Sequence, residues 1–127
     1  MEAVRMSNVV VDAEKNRLNI TVTGAICKEE MEKIYRDLHV CVPELTPGFS
    51  VVTDLTRCKV GHLSGLPTLK HIMEYLIENK VGKIVRVVGK AKIVFNQISR
   101  ITEHLQGYKV VYVATLQEAE EALNQSQ

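Results

Sequence analysis

The sequence predicts an α/β protein: an N-terminal β-hairpin, then parallel strands joined by right-handed helical crossovers, in the order ββαβαβαβα. Three observations predict it. The runs NVVVD, RLNITVT, FSVVTD, KIVRVV and YKVVYV have the length and β-branched content of strands. From the second run onward, each is followed by a segment whose apolar residues recur at helical spacing. The first two runs are separated only by a short turn, which makes them an antiparallel hairpin, whereas strand–helix–strand units close right-handed and build a parallel sheet.

Each element has its own signature. Asn8 to Asp12 is a short strand, Glu14-Lys15-Asn16 a turn, and Arg17 to Thr23 alternates with Leu18, Ile20 and Val22 on one face. Gly24 ends it. Cys27 to Cys41 is helical, with Met31, Ile34, Tyr35 and Leu38 on the apolar stripe and acidic Glu29, Glu30 and Glu32 near its start, where they complement the helix dipole. Pro43 and Thr46-Pro47-Gly48 stop it. The central strand runs from Phe49 to Asp54, with Phe49, Val51 and Val52 buried. Ser64 is placed to N-cap the next helix, which tolerates Pro67 in its first turn and buries Leu66, Leu69, Ile72, Met73, Leu76 and Ile77. Lys83 to Val88 is a buried strand, Ala91 to Leu105 a helix, and Tyr108 to Val113 the last strand. Thr115-Leu116-Gln117-Glu118 has the form of a capping box and starts a final helix burying Leu116, Ala119, Ala122 and Leu123, with Asn124 to Gln127 fraying.

At 127 residues the chain is expected to form one domain spanning 1–127, large enough for a core without staples. Net charge is +1 and Trp is absent, so there is neither the basic field nor the stacking platform of a nucleic-acid binder. No apolar run approaches a membrane span, and the start of the chain lacks a signal pattern, so a cytoplasmic protein is expected. The 3 cysteines, Cys27, Cys41 and Cys58, are scattered. They suit small buried hydrophobes, without the spacing of a disulfide framework or a metal site. No cofactor motif is present.

The candidate site is the stretch Phe49 to Leu66, because ligands and partners meet open α/β sheets at the carboxyl ends of strands and the helix starts that follow. Asp54 is expected to cap loop N–H groups. Asp54, His62 and Ser64 do not make a triad, since they share one loop with no nucleophile elbow. A phospho-receiver also fails: Asp12 stands alone and Val113-Ala114-Thr115 carries no lysine. Histidines 39, 71 and 104 are expected on helix surfaces, while His62, in the central loop, is the one placed for partner contact or pH sensing. A second stretch, Lys80 to Lys92, holds Lys80, Lys83, Arg86, Lys90 and Lys92 with no acidic residue. It reads as a solvated basic rim or, at Gly89-Lys90-Ala91-Lys92, as an anion site at a helix start neighbouring the Gly61–Gly65 loop.

Gly24-Ala25-Ile26 after the second strand, Val51-Val52-Thr53-Asp54-Leu55-Thr56, and His62-Leu63-Ser64-Gly65-Leu66 together resemble the STAS domain, and the likeness covers nearly the whole chain. That is the fold of bacterial anti-sigma-factor antagonists and of sulfate-transporter tails. The three segments fall on the family's Gly-x-Leu step, its Asp-Leu-Ser strand end and its Asp-Ser-Ser-Gly-Leu signature. In the antagonists the first serine of that signature is phosphorylated, which breaks the complex by adding about −1.5 to −2 of charge. Here that position is Leu63, and the acidic position before it is His62. The resemblance therefore implies a kept scaffold without the serine switch, Ser64 serving as helix N-cap. The chain also resembles small stand-alone STAS-like proteins that lack the phosphoserine, some of which have been suggested to hold apolar or amphipathic molecules.

The sequence thus points to a non-catalytic, STAS-like interaction module that docks a protein partner, or a second copy of itself, through the loop and helix around residues 56–73. Thr56, His62, Leu63, Ser64 and Leu66 are the contact candidates. The alternative is a carrier or sensor for a small amphipathic ligand. Its apolar part would lie under the second or third helix and its anionic end at Lys90 and Lys92, beside Gly65.

Overall fold

A computed structural model describes residues 7–25, 27–59, 66–89 and 109–124. Its strands are β1 (Asn8–Asp12), β2 (Arg17–Thr21), β3 (Gly24–Ala25), β4 (Ser50–Asp54), β5 (Cys58–Lys59), β6 (Lys83–Val87) and β7 (Lys109–Val113); its helices are α1 (Lys28–Cys41), α2 (Leu66–Glu78) and α3 (Leu116–Asn124). The main sheet has the order β1-β2-β4-β6-β7. β1 is antiparallel to β2 and every other neighbour is parallel, as the hairpin-plus-crossover pattern requires.

Strand register decides what each face carries. Leu18, Val51, Ile84 and Val110 are aligned across four strands, and so are Ile20, Thr53, Arg86 and Tyr112 two residues further on. Both rows point to one face, because side chains alternate along a strand. That face packs under α1 and α2, where Met31, Ile34, Leu38, Ile72, Met73 and Leu76 are all buried. The opposite face presents Val52, Val85 and Val87 to Ala119 and Leu123 of α3. β4 and β6 are therefore covered on both sides, as apolar strands in parallel sheets are.

Some local features depart from expectation. Gly24 does not simply end a strand: β3 pairs in parallel with β5, a two-residue strand inside what reads as a loop. Gly24 is suited to this turn, with φ of 82°. The Thr115 cap is half of a capping box. Its Oγ1 accepts from the Glu118 N–H at 3.1 Å, but Glu118 Oε1 accepts from the N–H of Ala114 at 2.9 Å, one residue earlier than the reciprocal pattern. Leu116 is 55% exposed and not part of the core. Side chains tilt toward a helix's N-terminus, so this first-turn residue projects ahead of the sheet. Asn124 is the last helical residue, and residues 125–127 lie outside the described ones. The same is true of the helix expected from Ala91 to Leu105. Of the three cysteines, only Cys58 is fully buried; Cys27 and Cys41 are half-buried.

The turn between α2 and β6 locks onto the entry to β4. Lys80 closes the helix with φ of 67°. Its carbonyl accepts from the Gly48 N–H at 2.7 Å, and the Gly82 N–H donates to Phe49 O at 2.7 Å. A Cβ on Gly82 would fall 2.6 Å from the Gly48 carbonyl oxygen, so only glycine allows this approach. Gly82→Ala is accordingly expected to destabilise the protein by about 1–3 kcal/mol, the usual cost of forced backbone shifts. Chemical denaturation should show the midpoint falling with an unchanged slope.

Candidate functional site

The carboxyl end of β4 is built by Asp54. Its Oδ1 accepts from the Thr56 backbone N–H at 2.9 Å and from the Thr56 hydroxyl at 2.6 Å, a side-chain turn that satisfies the first loop donor. Leu55 is buried and its N–H donates to Val87 O at 2.8 Å, tying this end to β6. Thr56 and Arg57 are left exposed at the apex. Gly89, with φ of 54°, sits against Thr56: a Cβ there would meet Thr56 Cγ2 at 3.4 Å. The ends of β4 and β6 thus form one continuous rim.

Of the residues singled out from sequence, Thr56 is on this rim and the backbone of Leu66 opens α2. His62, Leu63, Ser64, Gly65, Lys90 and Lys92 lie outside the described residues, as does His104. Among the described residues no group of three His, Cys, Asp or Glu side chains could hold a metal ion. No described helix is long and apolar enough to cross a membrane.

Arg86 is the residue whose environment the sequence misjudged. It is not part of a basic rim but is 3% exposed, on the α1–α2 face of the sheet. Its Nη1 donates to the Tyr112 hydroxyl at 2.8 Å, its Nη2 to Met73 Sδ at 3.2 Å, and the guanidinium carbon lies 5.7 Å from the Tyr112 ring centre. It borders a cavity of about 50 Å³ between the sheet and the helices, whose other described lining residues are apolar apart from Thr53. The signal was available. An arginine inside KIVRVV, a strand with apolar neighbours on both sides, belongs to a doubly covered strand and not to a rim.

A second feature missed from sequence is an aromatic cluster across the α1–α2 seam. His39 stacks on Tyr75 at 4.1 Å and meets Tyr35 edge-on at 4.7 Å, with Tyr35 edge-on to Tyr75 at 6.2 Å and His71 nearby at 6.3 Å. His39 Nδ1 lies 2.9 Å from Tyr35 O, a contact that places its proton there. Partial burial, with Tyr35 and Glu78 nearby, raises the Tyr75 phenol above its ordinary range. The pairs Tyr35/His39 and His71/Tyr75 are each four residues apart, so each pair shares a helix face. That spacing was the readable sign.

With this geometry in hand, comparison with known proteins separates fold from function. No family model matches the chain, and no curated protein does. Among solved structures, the anti-sigma factor antagonist SpoIIAA in its unphosphorylated form superposes with a TM-score of 0.57, covering 94% of this chain and 98% of that one at 13% identity. The fold is STAS-like. At that identity the likeness speaks for architecture alone. The hairpin, the parallel strands and the flanking helices are STAS-like.

Beside the rim, burial pushes the Cys58 thiol up to about 11 from its usual 9.0. A thiol raised in this way stays protonated in the fold. Its contribution to stability is complete below pH 9.0 and is lost as pH rises toward about 11. At about pH 8, alkylation followed by peptide mapping should modify half-buried Cys27 well before Cys58 in the native protein. The difference should vanish in denaturant.

Proposed function

We propose that the chain is a non-catalytic regulatory module that docks a protein partner through the β4 rim and the outward side of α2, the region of residues 56–73. The observation that carries this is the rim itself. Its carboxylate, Asp54, is spent on holding Thr56, which leaves an exposed, shaped turn and, among the described residues, no assembled acid–base pair. Two further points support it. The fold is shared with SpoIIAA, an anti-sigma factor antagonist. The exposed residues Pro67, Lys70 and His71 continue the surface from the rim along α2. His62, Leu63, Ser64 and Leu66 complete the proposed contact by sequence. Leu63, which carries no hydroxyl, keeps the contact apolar and free of phosphate control.

Two measurements test this. Native mass spectrometry and affinity capture should find either a homodimer or one stoichiometric partner. That association should weaken at least about tenfold in Thr56→Arg or His71→Glu, and survive Glu121→Lys on the distant α3. Loss in the α3 variant alone would move the interface elsewhere. Intact-mass analysis of protein isolated from cells should show no stoichiometric phosphate. A phosphoryl group on Ser64 or Thr56 would restore the switch that this reading removes.

A further inference from the structure

We propose that the cavity between the sheet and the α1–α2 layer is a binding site for a short aliphatic carboxylate whose charged end is held by Arg86. The guanidinium is permanently charged and 97% removed from solvent, being 3% exposed. Its described partners are a neutral hydroxyl and a thioether. Sulfur is a weak acceptor, so Nη2 holds a bond that a carboxylate oxygen would readily take over. A second buried arginine among the described residues shows what is missing: Arg17 pairs with Glu120 at 2.7 Å. Among the described residues, no carboxylate does this for Arg86.

The rest of the cavity fits the other end of such a molecule. Thr53 is the cross-strand neighbour of Arg86 and lines the same space, which puts a second polar group beside the cation. Val51 and Ile84, the next row of the sheet, form an apolar floor, and Leu76 closes the roof. Among the described lining residues, polar side chains are thus confined to one end. A water needs roughly 10–15 Å³ of such space, so the cavity of about 50 Å³ holds about three to five water-sized centres, and because bonded atoms sit closer together than separate waters it suits a chain the size of propanoate or butanoate. The anionic end is assigned to Arg86 and not to Lys90 and Lys92. The proposal does not depend on the docking reading, and either can fail without the other.

The test is a titration of the full chain, followed by amide chemical shifts and calorimetry. The probes are acetate, propanoate, butanoate and octanoate, with butan-1-ol and butylammonium as controls. Expected is saturable one-site binding in the millimolar range or tighter that strengthens from acetate to butanoate and is lost at octanoate. Shifts should centre on residues 84–87 and on α2. Butan-1-ol should bind at least about tenfold more weakly and butylammonium not at all. Arg86→Lys should lose at least about tenfold in butanoate affinity, and Leu76→Phe, which fills the space from the roof, should abolish binding while keeping native spectral dispersion. The proposal is overturned if no carboxylate gives a saturable response, if butan-1-ol matches butanoate, or if folded Leu76→Phe binds as wild type does. The comparison of butanoate with butan-1-ol on the unaltered chain decides the matter should the Arg86 variant not fold.

Discussion

Parallel pairing of β4 between β2 and β6 is the constraint on which the rest depends. A parallel strand cannot reach its neighbour through a tight turn. Each step from β4 to β6 and beyond must leave the sheet and return by a crossover, and the crossovers put helices over its faces. Once α1 and α2 cover one face and α3 the other, β4 and β6 have no solvent side. Val51 and Val52, adjacent in sequence and opposite in direction, are both buried for this reason, and Val85 and Ile84 repeat the pattern next door. Everything polar on those strands is then forced to their carboxyl ends or into the core.

That sorting explains the two kinds of polar group found here. Asp54 stands at the strand end, where loop donors await it, and it folds back on Thr56. Arg86 stands one register step inside the end, paired with Thr53 and Tyr112, and so inherits the core's dielectric. A buried charge without an opposite partner is costly, and replacing it by an apolar side chain is often neutral or stabilising. Among the described residues Arg86 meets no carboxylate, which is the ground for the ligand proposed above.

The same sorting marks how far the sequence could be read. The hairpin, β4, β6 and β7 were legible because five-residue apolar strands carry their own period. α1 was legible because Met31, Ile34 and Leu38 keep helical spacing. β3 and β5 were not: two residues carry no periodicity, and their pairing depends on where Asp54 and Arg57 place the chain. Leu116 was misjudged because a hydrophobic pattern says which face a residue takes but not whether the helix's first turn reaches the sheet. For Arg86, charge was counted before strand context. The aromatic cluster needs the approach of two helices, which spacing on each helix alone cannot supply. The position of Thr56 just past the end of β4 was legible because strand ends followed by polar loops are recognisable without coordinates.

α2 joins the two functional proposals physically. Its inner side, through Ile72, Met73 and Leu76, roofs the cavity beside Arg86; its outer side, with Lys70 and His71, faces solvent and continues the β4 rim. Met73 is a direct partner of the arginine, so a carboxylate that takes its place at Nη2 changes what holds the helix from beneath. A partner gripping the helix from outside acts on the same rigid element, whose buried side chains interdigitate with the sheet and do not deform continuously. If both sites are occupied in the cell, linkage requires their coupling to be reciprocal: whatever the ligand does to partner affinity, the partner does to ligand affinity by the same factor. On the reading proposed above, Leu63 takes the serine-based charge switch off the surface of the STAS-like scaffold, and the cavity beside Arg86 would offer the fold an internal place to put a charge instead.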